Sequence, residues 1–181
     1  MILEKGKSNM GRFASNILLA ILMVVLSVFA GCRVQYSFSG TSIQPDVKTF
    51  TVEYFENKAP RINPSLANSL SEALIDKYRK LTPLEMMQEG GDLTVSGIIQ
   101  GYDTRPVAVT ADEVASQTRL TVSLKLKYTN KLHPEEDFEK NFSAFADFDS
   151  NQSLDAVEAQ ICDDIIEKLV EDIFNATVAN W

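Results

Sequence analysis

The chain has 181 residues, with 25 acidic side chains against 17 basic ones, a formal net charge of −8, and 45% hydrophobic content. That length suits one domain plus an export segment, and the acidic balance argues against non-specific nucleic-acid binding, because phosphate backbones attract the opposite charge. With one histidine and two cysteines, a cysteine–histidine zinc site lacks ligands.

The first predicted element is an export signal. Lys5, Lys7 and Arg12 precede fourteen residues, Ile17 to Ala30, broken only by Ser27, and the run closes on Phe29-Ala30-Gly31-Cys32. A basic start, a short apolar stretch and small residues before a cysteine read as a bacterial signal peptide cut ahead of Cys32, whose thiol then carries the lipid. A permanent membrane span needs roughly 20 apolar residues and fits less well. Phe29 stands where such cleavage boxes usually carry Leu; a soluble exported protein cut near Ala30 is the alternative, as is an uncleaved anchor. The expected division is a signal peptide over 1–31, a lipidated tether over 32–48 and a single domain over 49–181. Removing Lys5, Lys7, Arg12 and Glu4 takes the formal charge from −8 to −10. With Cys32 acylated, Cys162 has no disulfide partner and reads as a small hydrophobe in a helical stripe.

Residues 33–48 lack a sustained period and carry Gly40 and Pro45, as expected of a tether; Tyr36 and Phe38 alternate with serines, either as a short docking strand or for local packing. Thr49 to Phe55 is β-branched and aromatic enough for a strand. Asn63 and Pro64 form a helix start, since Asn caps exposed amides and Pro at the first helical position loses no hydrogen bond. Leu66, Leu70, Leu74 and Tyr78 then place an apolar stripe on one face, and Pro83 follows the helix end.

Leu84–Met87 and Leu93–Tyr102 flank Glu89-Gly90-Gly91-Asp92, which reads as a hairpin. No GxxxxGK[ST] pattern accompanies the glycine pair, so a phosphate loop is not supported. Gly97 and Gly101 within the second strand mark a bulge or a close backbone approach. Leu120, Val122, Leu124, Leu126 and Tyr128 alternate with Thr121, Ser123, Lys125, Lys127 and Thr129, so one sheet face enters a core while the other meets water or a partner. A turn through Leu132–Asp137 leads to a continuing alternation at Phe138, Phe142, Ala144 and Phe148. His133 lies in this turn without a Cys or His companion and reads as a plain loop residue, not a metal ligand. Ser153 is a good N-cap for a last helix, whose stripe is Val157, Ile161, Ile165, Leu169 and Ile173, widened by Ile166, Val170 and Phe174. The acidic residues Asp163, Asp164, Glu167, Glu171 and Asp172 fall mostly on its solvated side and do not suggest a Ca²⁺ loop.

These elements predict an α+β fold, a two-layer α/β sandwich with two helices on one face of a roughly four-stranded, mostly antiparallel sheet. The residues offer no nucleophile–base pair, metal cluster or cofactor loop, which leaves surfaces as candidate sites. Convergence of Asp92, Asp103, Asp112 and Glu113 into an acid–base pair stays open at this level.

Cys32 followed by Tyr36-Ser-Phe-Ser-Gly-Thr-Ser-Ile43, the stretch Gln117–Tyr128, the run Phe142–Phe148 and the closing Val170–Asn175 together resemble the LptE lipoproteins of Bacteroidetes. The resemblance implies a non-enzymatic outer-membrane lipoprotein without a cofactor, on the periplasmic face, that plugs and helps assemble the LptD β-barrel through which lipopolysaccharide reaches the outer leaflet. Expected barrel contacts are Tyr36, Phe38, Asp112, Glu113, Thr121 and Ser123. Weak lipopolysaccharide contact is expected from Arg119, Lys125 and Lys127, which share one parity on the long strand, with Arg105 nearby, and from Lys140, which matches a basic position of the family; Lys140 shares parity with Phe138 and Phe142, and a place at the core margin with its stem buried is the alternative. The loop at 110–117 has no Lys or Arg to match a second one. The rival readings are a periplasmic lipoprotein that activates a peptidoglycan synthase and a lipoprotein hydrolase.

Overall fold

Strict alternation in the middle of the chain builds the longest ladders of the computed structural model, which describes residues 43–61, 63–107 and 117–179, all within the unit Ser39–Trp181. Cys32, Tyr36, Phe38, Asp112 and Glu113 lie outside the described residues. Strand β4 (Leu93–Val107) pairs antiparallel with β5 (Gln117–Asn130), and β5 pairs antiparallel with β6 (Phe138–Asp149). Leu120, Val122, Leu124 and Leu126 are fully buried, so the period-two pattern reports the core face directly.

The other half of the sheet differs from the expected hairpin. Strand β1 (Thr49–Val52) lies between β3 (Glu85–Met86) and β4 and runs parallel to both, while β2 (Glu56–Asn57) adds to β4 beyond it, also in parallel. The sheet is therefore six-stranded and mixed, in the order β3-β1-β4-β5-β6 with β2 beside β4. The two extra strands are two residues each, too short for any period to show. Gly90 and Gly91 do not turn a hairpin; they carry the chain across the end of β1. Gly90 has φ +78°, and a Cβ on Gly91 would stand 2.7 Å from the Phe50 carbonyl carbon. Thr51 Oγ1 accepts from the Gly91 amide at 3.0 Å, and Asp92 accepts from the Lys48 and Thr49 amides at 2.9 Å. Gly97 lies against the Phe55 ring, and the register shifts between Ile99 and Gly101, a bulge next to a residue with no room for a side chain beside Ser123.

Helix α1 (Leu66–Leu81) buries Leu66, Leu70, Leu74 and Tyr78 as its spacing predicts. Asn63 caps it through Oδ1, which accepts from the Ser65 and Leu66 amides at 3.0 and 3.2 Å. Helix α2 (Leu154–Thr177) buries Ile161, Ile165, Leu169 and Ile173 with Ile166, Val170 and Phe174. Ser153 occupies its N-cap, yet its side chain makes no capping bond there. Tyr78 joins the layers: its ring stacks on Phe50 at 5.0 Å and meets Phe174 edge-on at 5.5 Å, and its hydroxyl bonds Thr177 Oγ1 at 2.6 Å. Each fully buried Leu or Ile here contributes roughly 1.5–3 kcal/mol of hydrophobic stabilisation. Both helices cover one sheet face, and no helix among the described residues is long and apolar enough to cross a membrane.

Residues 43–48, the last six of the expected tether, pack on this fold. Val47 is in the core, Gln44 donates to Glu136, and Asp46 pairs with His133 at 3.0 Å.

Candidate functional site

The face of β4, β5 and β6 turned away from the helices is built by register. Directly paired residues in antiparallel strands share a face, so five rows cross it: Arg105, Arg119 and Asp147; Asp103, Thr121 and Phe145; Gly101, Ser123 and Ser143; Ile98, Lys125 and Asn141; Ser96, Lys127 and Glu139. The central row is small throughout, and the rows beside it carry polar side chains together with Phe145 and Ile98. Thr121, Ser123, Arg119, Lys125 and Lys127, expected together from strand parity, are brought onto this one face, and the register adds Arg105, expected only to lie nearby.

They do not form one basic cluster. Arg119 and Lys125 stand six residues apart on β5, roughly 20 Å, well beyond the Debye length of about 8 Å. The cations thus form two patches, Arg105 with Arg119 at one end and Lys125 with Lys127 at the other. Each patch carries its own acid. Arg119 binds Asp147 through two bonds of 2.7 and 2.9 Å, and these hold the Asp147 carboxyl below its usual range. Lys125 meets Glu139 at 2.6 Å and lowers that carboxyl likewise. Arg105 and Lys127 make no ion pair among the described residues. Lys140 falls on the opposite parity, across from Leu126, with its ammonium 5.3 Å from the Phe142 ring, and does not join the others.

Sequence reasoning missed two exposed aromatics. Phe145, 45% exposed, lies on the polar face with the Arg119 guanidinium 3.7 Å from its ring centroid. Its odd parity in β6, shared with Ser143 and Asp147, was the signal for it. Tyr54, 67% exposed, borders a hollow with Ile98, Lys125 and Lys127; it follows β1 in an irregular stretch with no period to place it.

Other chemistry-bearing residues serve the fold. Asp92, just before β4, and Asp103, within it, lie eleven residues apart on an extended chain, roughly 35 Å, and do not converge. Amide bonds from Lys48 and Thr49 keep Asp92 below the usual carboxylate range. Cys162 is buried between Asn63 and Tyr102, and burial pushes its thiol up, so it stays protonated. Among the described residues no group of three or more His, Cys, Asp or Glu side chains is placed to hold a metal ion.

No curated protein matches the chain. The fold is similar to that of a hypothetical protein from Chlamydia trachomatis, at 8% identity, with 74% of this chain and 99% of that one covered and a TM-score of 0.50. Lipoprotein B of Nitrosomonas europaea aligns at 12% identity over 79% of this chain and 87% of its own, TM-score 0.48. A minor lipoprotein of Acinetobacter baumannii aligns at 11% over 70% and 89%, TM-score 0.44. Residues 47–177 match the LptE family, described as lipopolysaccharide-assembly. That span takes in every strand, both helices and the whole open sheet face, and the chain accordingly belongs to the LptE family of lipopolysaccharide-assembly proteins.

Proposed function

We propose that the protein is an outer-membrane lipoprotein, acylated on Cys32, that seats its open sheet face inside an LptD-type β-barrel and supports insertion of lipopolysaccharide into the outer leaflet. Family membership supports the process. The observation that carries the surface is the face of β4, β5 and β6 that no helix among the described residues covers, mostly polar apart from Phe145 and Ile98 and flattened by the row Gly101, Ser123 and Ser143. A barrel lumen is polar because its strands alternate apolar outward and polar inward, so Thr121, Ser123 and Lys127 meet groups able to bond them. Tyr36 and Phe38 in the tether, and Asp112 and Glu113 in the β4–β5 loop, extend the proposed contact set. Arg105 and Lys127 are the cations left for lipid phosphates, and the proposed role is assembly without catalysis.

Photo-crosslinkers placed in cells at Thr121, Ser123 and Lys127 test this reading. The expected product is an adduct with an outer-membrane β-barrel protein. Capture of soluble periplasmic domains alone, with the protein otherwise active, would rule the plug out and favour a synthase activator.

A further inference from the structure

On the helix side of the sheet, where α2 ends beside the β5–β6 turn, a cavity of about 280 Å³ opens between Ile43, Leu93, Tyr128, Phe138 and Thr177. This volume lies just below the usual range of ligand sites, roughly 300–1,000 Å³, so it suits only a small, headgroup-sized molecule. The Tyr128 and Phe138 rings stack at 5.3 Å and form an aromatic wall.

The cavity is electrostatically negative for three reasons. Glu135 and Glu136 both border it. Glu136 is bonded by the amides of Gln44 and Asn130, which carry no charge, so its own charge is not offset there. The last turn of α2 has no Lys or Arg, and its end carries a partial negative charge of about half an electron. His133, held by Asp46, offsets part of the Glu135 charge at 3.5 Å and leaves Glu136 as the carboxylate without a cation, while Lys131 donates to the Gly90 carbonyl.

Tyr128 supplies the independent observation. It is 3% exposed, and its hydroxyl makes no hydrogen bond among the described residues. No buried side-chain oxygen or nitrogen among those residues lacks a partner, so this hydroxyl touches open space, and the open space beside it is the cavity. Burial, then the charges of Glu136 and Asp137, push its pKa up and keep it a neutral phenol with lone pairs to offer. A nearly buried acceptor with no partner, beside two carboxylates and an aromatic wall, matches a cation that also donates hydrogen bonds.

We propose that this cavity binds a primary ammonium group, supplied either by an ethanolamine lipid headgroup or by a free small amine. The headgroup source rests on the Cys32 anchor proposed above. Ile43 follows Cys32 by eleven residues, a span of at most about 40 Å, which keeps the cavity within reach of the bilayer surface.

Titration of the full-length protein with ethanolamine, followed by the amide resonances of Ala176 and Thr177, tests the site. A saturable shift is expected with ethanolamine and not with choline, which cannot donate, or ethylene glycol, which carries no charge. Tyr128→Phe keeps the ring and should weaken binding roughly fivefold, the loss of one hydrogen bond; Glu135→Gln with Glu136→Gln should abolish it. Nanodiscs containing phosphatidylethanolamine or phosphatidylcholine, each with phosphatidylglycerol, separate the sources. The same shifts in the ethanolamine discs alone identify the headgroup, and a response to soluble ethanolamine with no difference between discs identifies a free amine. Absence of a saturable shift in every arm, an equal response to choline, or unchanged binding in the folded variants would each overturn the site, whatever the crosslinking of the sheet face shows.

Discussion

His133 in the β5–β6 turn reaches Asp46 with Nε2 at 3.0 Å and Glu135 with Nδ1 at 3.5 Å, pinning the segment that enters the fold. The Asp46 bond raises the histidine's pKa, and the same bond lowers that of Asp46. A raised histidine stabilises the folded state fully below its unfolded pKa of about 6.5, and the effect is lost as pH rises through the folded value; a depressed aspartate stabilises above about 3.9 and loses the effect as pH falls through its folded value. The melting-temperature deficit of His133→Gln should therefore be greatest between about pH 4 and 6.5 and shrink above that range. A deficit that stays constant from about pH 5 to 9 would mean that the ring acts by packing alone. The partner stands 87 residues away in sequence, which is why the turn alone reads as an unremarkable loop. Tyr128 is similar: parity places its ring in the core, but the free hydroxyl is a property of its neighbours.

Elements whose stabilising contacts repeat at the period of their own backbone were legible from the chain. The α1 and α2 stripes and the β5–β6 alternation come out on the expected faces because burial there follows local spacing. The parallel half of the sheet was not legible, since parallel partners need no adjoining turn and β2 and β3 span two residues each. The Gly90–Gly91 pair was assigned to the wrong geometry for that reason: glycine signals permissive backbone without saying whether the chain is turning or crossing. The crossing has a measurable consequence. Gly91→Ala drives a Cβ into the Phe50–Thr51 backbone, which cannot rotate away, and should cost about 2–3 kcal/mol. Gly90→Ala meets only the end of Lys131 and should cost about 1–2 kcal/mol, for its positive φ. Chemical denaturation measures both, and an Ala at 91 that is neutral would remove the close crossing.

Across the whole molecule, charge is segregated more finely than composition suggests. Parity places Arg119, Lys125 and Lys127 on one face, and the β4–β5 register adds Arg105, but distance along the strand divides them, and Asp147 and Glu139 neutralise one member of each patch. That pairing lies between strands and has no signature within either. For the lipopolysaccharide contact proposed above, Arg105→Glu and Lys127→Glu should each weaken binding several-fold at low salt, with additive effects because the two sites are far apart. Lys140→Glu, on the other parity, should leave binding unchanged. Titration of immobilised lipopolysaccharide reads all three, and a loss confined to Lys140→Glu would shift the contact off this face.

The insertion of β1 between β3 and β4 also bears on how the chain is made. Synthesis delivers the N-terminal side first, and Phe50 pairs with Leu93, which emerges 43 residues later. The β4–β5–β6 meander closes between neighbours in sequence, whereas the β1 backbone waits for the strands on both sides of it, with only the earlier helix α1, through Tyr78, available to cover Phe50. Under the export proposed above, that interval is when β1 has no strand partner and its backbone is open to a chaperone.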